Sequence, residues 1–149
     1  MKVKKIVPHA TLPWKAHDGD LGYDLFCSEE LTIWPGETKL VSTGIAIQFP
    51  EGYGGLIRDR SSVATKLQLF TVAGVIDNGY TGEIRVALYN GADDNESAKR
   101  GEHTWRKISV GDKIAQLILI PTVNFAVEEI TNITSSDGRG ENGFGSTGQ

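Results

Sequence analysis

From Val41 to Phe49 every second residue is apolar or β-branched: Val41, Thr43, Ile45, Ile47 and Phe49, with Pro50-Glu51-Gly52 ending the run. A period of two places those side chains on one face of a strand, whereas a helix would scatter them around its axis. Ile84, Val86 and Leu88 repeat the pattern, alternating with Arg85, Ala87 and Tyr89 and stopping at Asn90-Gly91. Ile114 to Ile120 is a nearly continuous apolar run between Gly111-Asp112 and Pro121, as in a strand buried on both faces. Val123, Phe125 and Val127 carry the alternation further. One short helix is expected, with Ser61-Ser62 capping Val63-Ala64-Thr65-Lys66. Short strands separated by Gly-rich turns predict an all-β sandwich, jelly roll or barrel. The 18 glycines in 149 residues, about 12% against a usual 7%, fit such turns.

A chain of this length supports one domain. Its 15 Lys+Arg against 19 Asp+Glu give a net charge of −4, which argues against direct nucleic-acid binding and against a polybasic membrane surface. Cys27 is the one cysteine, so neither an intrachain disulfide nor a Cys-rich zinc site is expected. No apolar run approaches the roughly 20 residues of a membrane span, and a cytoplasmic setting with a reduced thiol follows. Two stretches do not read as strands. Gly91 to Arg106 is polar and long for a connection. Ser135 to Gln149 has almost no apolar residues and five glycines, a composition that by itself reads as disorder.

Three places hold residues suited to chemistry. Gly143-Phe144-Gly145-Ser146-Thr147-Gly148 satisfies the G-x-G-x-x-G spacing, but a dinucleotide site needs a strand before it and a helix after it. Arg139, Gly145, Ser146 and Thr147 offer a guanidinium, amides and hydroxyls to phosphate. Phe144 could stack on a base, an interaction worth about 1–3 kcal/mol, so a lid competes with plain disorder. In Gly74 to Gly82, Asn78-Gly79 between apolar runs predicts a hairpin. There Asp77 and Tyr80 are either turn residues or a carboxylate and ring shown to a small planar ligand. Arg60-Ser61-Ser62 suits an anion at a helix start; no G-x-S-x-G surrounds Ser61, so a hydrolase nucleophile is not expected there. His9, His17 and His103 are scattered in polar segments and read as solvated.

In order along the chain, five segments resemble the five short motifs of the homotrimeric dUTPase family. They are Leu21 to Leu25, Arg58 to Ala64, Gly74 to Gly82, Gly111 to Leu117, and Arg139 to Gly148. The resemblance implies a distorted jelly-roll-like β-barrel over residues 1–134 with at most one short helix, and a lid over 135–149. It also implies a homotrimer with shared active sites that hydrolyse dUTP to dUMP and pyrophosphate, with Mg²⁺. Such an enzyme keeps uracil out of DNA and supplies dUMP for dTMP synthesis. Asp77 would be the general base, and Asp24 would reach Mg²⁺ through bound water. Arg60, Ser61, Ser62 and Gln116 would contact phosphates. Gly74, Val75, Ile76 and Arg85 would read uracil, and Tyr80 would exclude a ribose 2′-OH. Arg139, Phe144, Gly145, Ser146 and Thr147 would close over the nucleotide. This sequence departs from the family pattern at Ser62, usually Gly, at Asp59, often Pro, and at Thr71, where many members have Asn. The alternatives are a related dCTP deaminase-like enzyme, and a dUTPase whose 91–106 connection, a surface insertion, also binds a regulatory protein.

Overall fold

A computed structural model describes residues 1–93 and 104–134. In chain order the elements are β1 (Lys2–Lys5), β2 (Tyr23–Phe26), β3 (Leu31–Ile33), β4 (Thr38–Gln48), β5 (Tyr53–Arg58), α1 (Ser61–Leu67), β6 (Leu69–Thr71), β7 (Val75–Ile76), β8 (Glu83–Asn90), β9 (Arg106–Ile108) and β10 (Lys113–Pro121). One four-stranded sheet has the order β1-β4-β8-β6, a second β2-β10-β5-β7, and β3-β9 form a two-stranded ribbon. Every pairing is antiparallel. The architecture is the distorted jelly-roll-like β fold with one short helix.

The two alternating runs become β4 and β8, paired to each other with Val41 opposite Val86. Their inward rows, Val41, Ile45, Ile47, Ile84, Val86 and Leu88, meet Leu25, Ile57 and Leu117 of the other sheet in one buried cluster. Each such side chain contributes about 1.5–3 kcal/mol by leaving water. The β4/β8 register slips between Ser42 and Ala46. Gly44 sits in that bulge at φ 68°, and a Cβ there would lie 2.5 Å from the Val7 side chain. Its N–H donates instead to the Glu83 carboxylate at 2.9 Å.

Four expectations change. The helix forms, but its N-cap is Arg60 and no side chain caps it; Ser61 and Ser62 lie inside the first turn. Asn78-Gly79 does turn the chain, yet its flanking strands do not pair. β7 joins β5 while β8 joins β4 and β6, so the segment crosses between sheets. A two-residue type I′ hairpin needs positive φ at both central residues, and neither Asn78 nor Gly79 has it. The Asn78 side chain donates to Pro50 O at 2.8 Å and Tyr53 O at 2.6 Å, tying the turn to the β4–β5 connection. β10 is buried on both faces only at its start, through Ile114 and Ala115, and Ile120 is exposed. Finally, Val123, Phe125 and Val127 form no strand and are 73%, 79% and 101% exposed. Alternation supplies a face, but a strand also needs a neighbouring backbone, and after Thr122 bonds to Gly52 O none pairs with it among the described residues.

Asn90, expected to end its strand, is fully buried. Its side-chain amide donates to Ile33 O and Thr104 O at 2.9 and 2.8 Å, and its oxygen accepts from Ala92 N at 3.0 Å. One side chain thereby fixes β3 and both ends of the 91–106 connection. Residues 94–103 of that connection lie outside the described ones. No described helix is long and apolar enough to cross a membrane.

Candidate active site

β10 is the strand that gathers polar groups. In register, Gln116 stands opposite Asp24 of β2 on one side and Arg58 of β5 on the other, so cross-strand neighbours bring three distant segments onto one face. Immediately after β5 the chain turns into α1 through Arg60. Asp24, Arg60, Ser61, Ser62, Lys113 and Gln116 line a cleft of about 430 Å³. Its volume is within the 300–1,000 Å³ usual for small-molecule sites.

The cleft is electrostatically organised around one carboxylate. Arg60 Nε lies 2.8 Å from Asp24 Oδ1, and Lys113 Nζ lies 2.7 Å from Asp24 Oδ2. The Asp24 side chain is only 14% exposed, so removing it would leave two cations without their partner. Lys113 also rests over the Trp14 ring at 4.8 Å. The Gln116 amide donates to the Asp59 carbonyl at 2.8 Å, and Gly22 lets β2 pass close by, since a Cβ there would come 2.5 Å from Gln116 Oε1. Asp20 also lines the cleft, so the two cations are balanced by two carboxylates; the guanidinium, two hydroxyls and side-chain amide still form a set suited to an oligophosphate.

A second cavity, of about 500 Å³, is lined by Leu40, Val75, Ile76, Asp77, Tyr80, Glu83 and Arg85. Gly74 leads into it at φ 143° and accepts from Ile57 N at 2.8 Å. Asp77 sits at the end of β7, and its carbonyl accepts from Tyr80 N at 3.1 Å. Among the described residues its carboxylate takes no hydrogen bond and no ion pair. The Tyr80 ring lies against Gly82, where a Cβ would be 2.5 Å from the phenol oxygen, and its hydroxyl donates to Glu83 O at 3.1 Å. Arg85 is held by Glu83 at 2.9 Å, and that hydrogen bond raises its pKa. Leu40 and Val75 supply apolar walls, and the cavity suits a flat, partly polar ring.

Asp24, Arg60, Ser61, Ser62 and Gln116 are therefore brought together, as are Val75, Ile76, Asp77, Tyr80 and Arg85, with Gly74 at the entry to the second group. The two groups share no lining residue within one chain. Arg139, Phe144, Gly145, Ser146 and Thr147 lie outside the described residues. Sequence reasoning passed over Lys113, although it stands inside the Gly111–Leu117 segment, and over Glu83, whose partners Gly44 and Arg85 give it its place.

Among the described residues no three His, Cys, Asp or Glu side chains cluster as metal ligands. With both Asp24 oxygens already facing cations, the cleft fits Mg²⁺ carried mainly on ligand oxygens and waters, with Asp24 accepting from a bound water. It does not fit an all-protein cage.

A protein-family model described as dUTPase matches residues 8–148. Deoxyuridine 5'-triphosphate nucleotidohydrolase of Clostridium novyi is 43% identical over 148 residues, 98% of this chain and 96% of that protein. The Clostridioides difficile protein of the same name is 40% identical, covering 99% and 97%. Among solved structures, Staphylococcus bacteriophage 80alpha dUTPase with dUpNHpp superposes with a TM-score of 0.88 at 31% identity, over 99% of this chain and 98% of that one.

Proposed function

The chain belongs to the dUTPase family and hydrolyses dUTP, and from that premise we propose how its two clefts divide the substrate. The cleft around Asp24 and Arg60 takes the triphosphate, and the cavity beside Asp77 takes the deoxyuridine. The observation that carries this reading is the separation of the two clefts on one chain, each equipped for half of a nucleotide. A homotrimer supplies the other half across each subunit boundary, with residues 135–149 closing over the bound nucleotide.

In the reaction, Asp77 accepts a proton from a water as that water's oxygen attacks the α-phosphorus. The bond from the α-phosphorus to the bridging oxygen breaks, and pyrophosphate leaves with the electron pair. Arg60, Ser61, the Ser62 amide and Gln116 hold the phosphate oxygens and offset the charge that grows on the leaving group. Bound Mg²⁺ supplies further charge neutralisation on the triphosphate. Main-chain groups from Gly74 to Ile76, with Arg85, read the uracil edge; cytosine reverses the donor and acceptor there and leaves buried groups unpaired. Arg139, Ser146 and Thr147 cap the γ-phosphate with the Gly145 amide beside them, while Phe144 covers the base. Clearance of dUTP in the cytoplasm, where Cys27 stays a reduced thiol, keeps uracil out of DNA and yields dUMP for dTMP synthesis.

The direct test is pyrophosphate release from dUTP, dCTP, dTTP and UTP, with Mg²⁺ and after its removal by chelation. The expected result is turnover of dUTP at least about 10²-fold above the other three, falling steeply without the metal. Equal turnover of all four would refute the assignment of the second cavity.

Tyr80 gives a narrower test. The hydroxyl end of its ring is held by Gly82 beside it and Glu83 O as acceptor, and the ring occupies the space a 2′-OH would need. Tyr80→Ala is expected to raise UTP turnover relative to dUTP by about tenfold. An unchanged ratio would mean that sugar discrimination lies elsewhere.

A further inference from the structure

Two positions where this sequence departs from the family pattern, Asp59 and Thr71, prove to be bonded to each other. Asp59 Oδ1 accepts from both the Thr71 N–H and the Thr71 hydroxyl, each at 2.6 Å. The backbone explains why that N–H is available. β6 is an edge strand, and Val72 N–H is the one directed at β8, to Ala87 O at 3.1 Å. In an extended chain the preceding N–H points the opposite way, to the open side, where an unpaired donor needs a partner. Asp59 supplies it. The same residue's carbonyl accepts from Gln116 at 2.8 Å.

Asp59 thus touches three parts of the site at once. Its neighbour in sequence is Arg60 of the phosphate cleft, its main chain holds Gln116, and its carboxylate holds the strand from which the chain runs through Gly74 to Asp77. Thr71 carries no amide to offer a base, but its hydroxyl makes the second of the two bonds. We infer that Asp59 is a positioning residue for dUTP hydrolysis, its carboxylate locking the phosphate-binding turn to the entry of the 74–82 segment. This rests on the reading that both clefts serve dUTP. An error of position between the attacking water and the phosphorus falls on the chemical step, so the effect belongs in kcat and not in KM.

The experiment measures kcat and KM for dUTP, with thermal melting as a check on folding. Asp59→Ala is expected to lower kcat by about 10–100-fold with KM moved by no more than about threefold. Asp59→Asn keeps the acceptor oxygen and should restore most of the rate. Thr71→Val should lower kcat and Thr71→Ser should not, which reads the same contact from its other side should Asp59→Ala fail to fold. The double variant Asp59→Ala/Thr71→Val should be no slower than Asp59→Ala alone, because coupled residues lose one interaction once. A wild-type kcat in folded Asp59→Ala, equal damage in Asp59→Asn, or multiplying losses in the double variant would overturn the inference. Asp77→Asn is assayed alongside. If it is inactive while Asp59→Ala is unimpaired, only the Asp59 contact is refuted; if Asp77→Asn is fully active, the site reading beneath it fails as well.

Discussion

Asp77→Asn is expected to lower kcat for dUTP by about 10²–10⁴-fold, the usual contribution of a positioned general base, while dUpNHpp still binds. Asn has the shape of Asp and keeps one oxygen that can orient a water, but it cannot accept the proton. The structure favours a clean result. Asp77 lies at the end of β7 with its backbone fixed by Tyr80 N, and among the described residues no side chain depends on its carboxylate. The substitution therefore removes a proton acceptor and leaves the turn intact. Single-turnover kinetics together with calorimetric titration of dUpNHpp separates the two effects. Turnover within a few-fold of wild type would refute the role assigned to Asp77.

Gly74→Ala is expected to act through the backbone and to be nearly as damaging. The residue sits at φ 143°, where a side chain costs about 1–3 kcal/mol. The new Cβ would also lie 2.6 Å from Ile57 O and 3.0 Å from Ile57 Cβ. Relief requires the chain to move away from β5, which breaks the bond from Ile57 N to Gly74 O and carries Val75, Ile76 and Asp77 with it. A loss of about 3 kcal/mol in urea unfolding is expected, and kcat should fall even in the folded fraction. Gly79→Ala is the control. It has an ordinary φ and nothing within 4 Å of an added Cβ, so it should stay within about 0.5 kcal/mol of wild type. Similar effects at both positions would show that the close approach to β5 is not what makes Gly74 necessary.

What could be read in the sequence was whatever depends on near neighbours. The period-two rows of β4 and β8 fix which side chains face the core, and those rows are buried as expected. The Gly74 to Gly82 and Gly111 to Leu117 segments were visible as motifs because their residues are contiguous. Pairing was not visible. Val123, Phe125 and Val127 alternate as well as Ile45 and Ile47 do, but nothing local says whether a partner backbone stands beside them. Asn78-Gly79 has the composition of a hairpin turn, yet the bonds of Asn78 to Pro50 O and Tyr53 O decide its course. The Lys113–Asp24 ion pair joins residues from different ends of the chain. The Asp59–Thr71 bond spans only twelve residues, but it depends on α1 bringing the edge of β6 back beside Asp59, so both positions looked only like departures from a pattern.

The disjoint linings of the two clefts have a consequence for inheritance. If every working centre borrows one cleft from each of two chains, a chain damaged in both clefts would remove more than its own share of activity. Such a chain would spoil the centres on both of its sides and so interfere with intact copies in the same cell, whereas a chain lacking only Asp77 would spoil one centre. Conversely, a chain damaged at Asp77 and a chain damaged at Arg60, each inactive alone, can form one sound centre wherever their undamaged halves meet. Alleles of this protein should therefore sort into two complementing groups, divided by which cleft they damage and not by how severe they are.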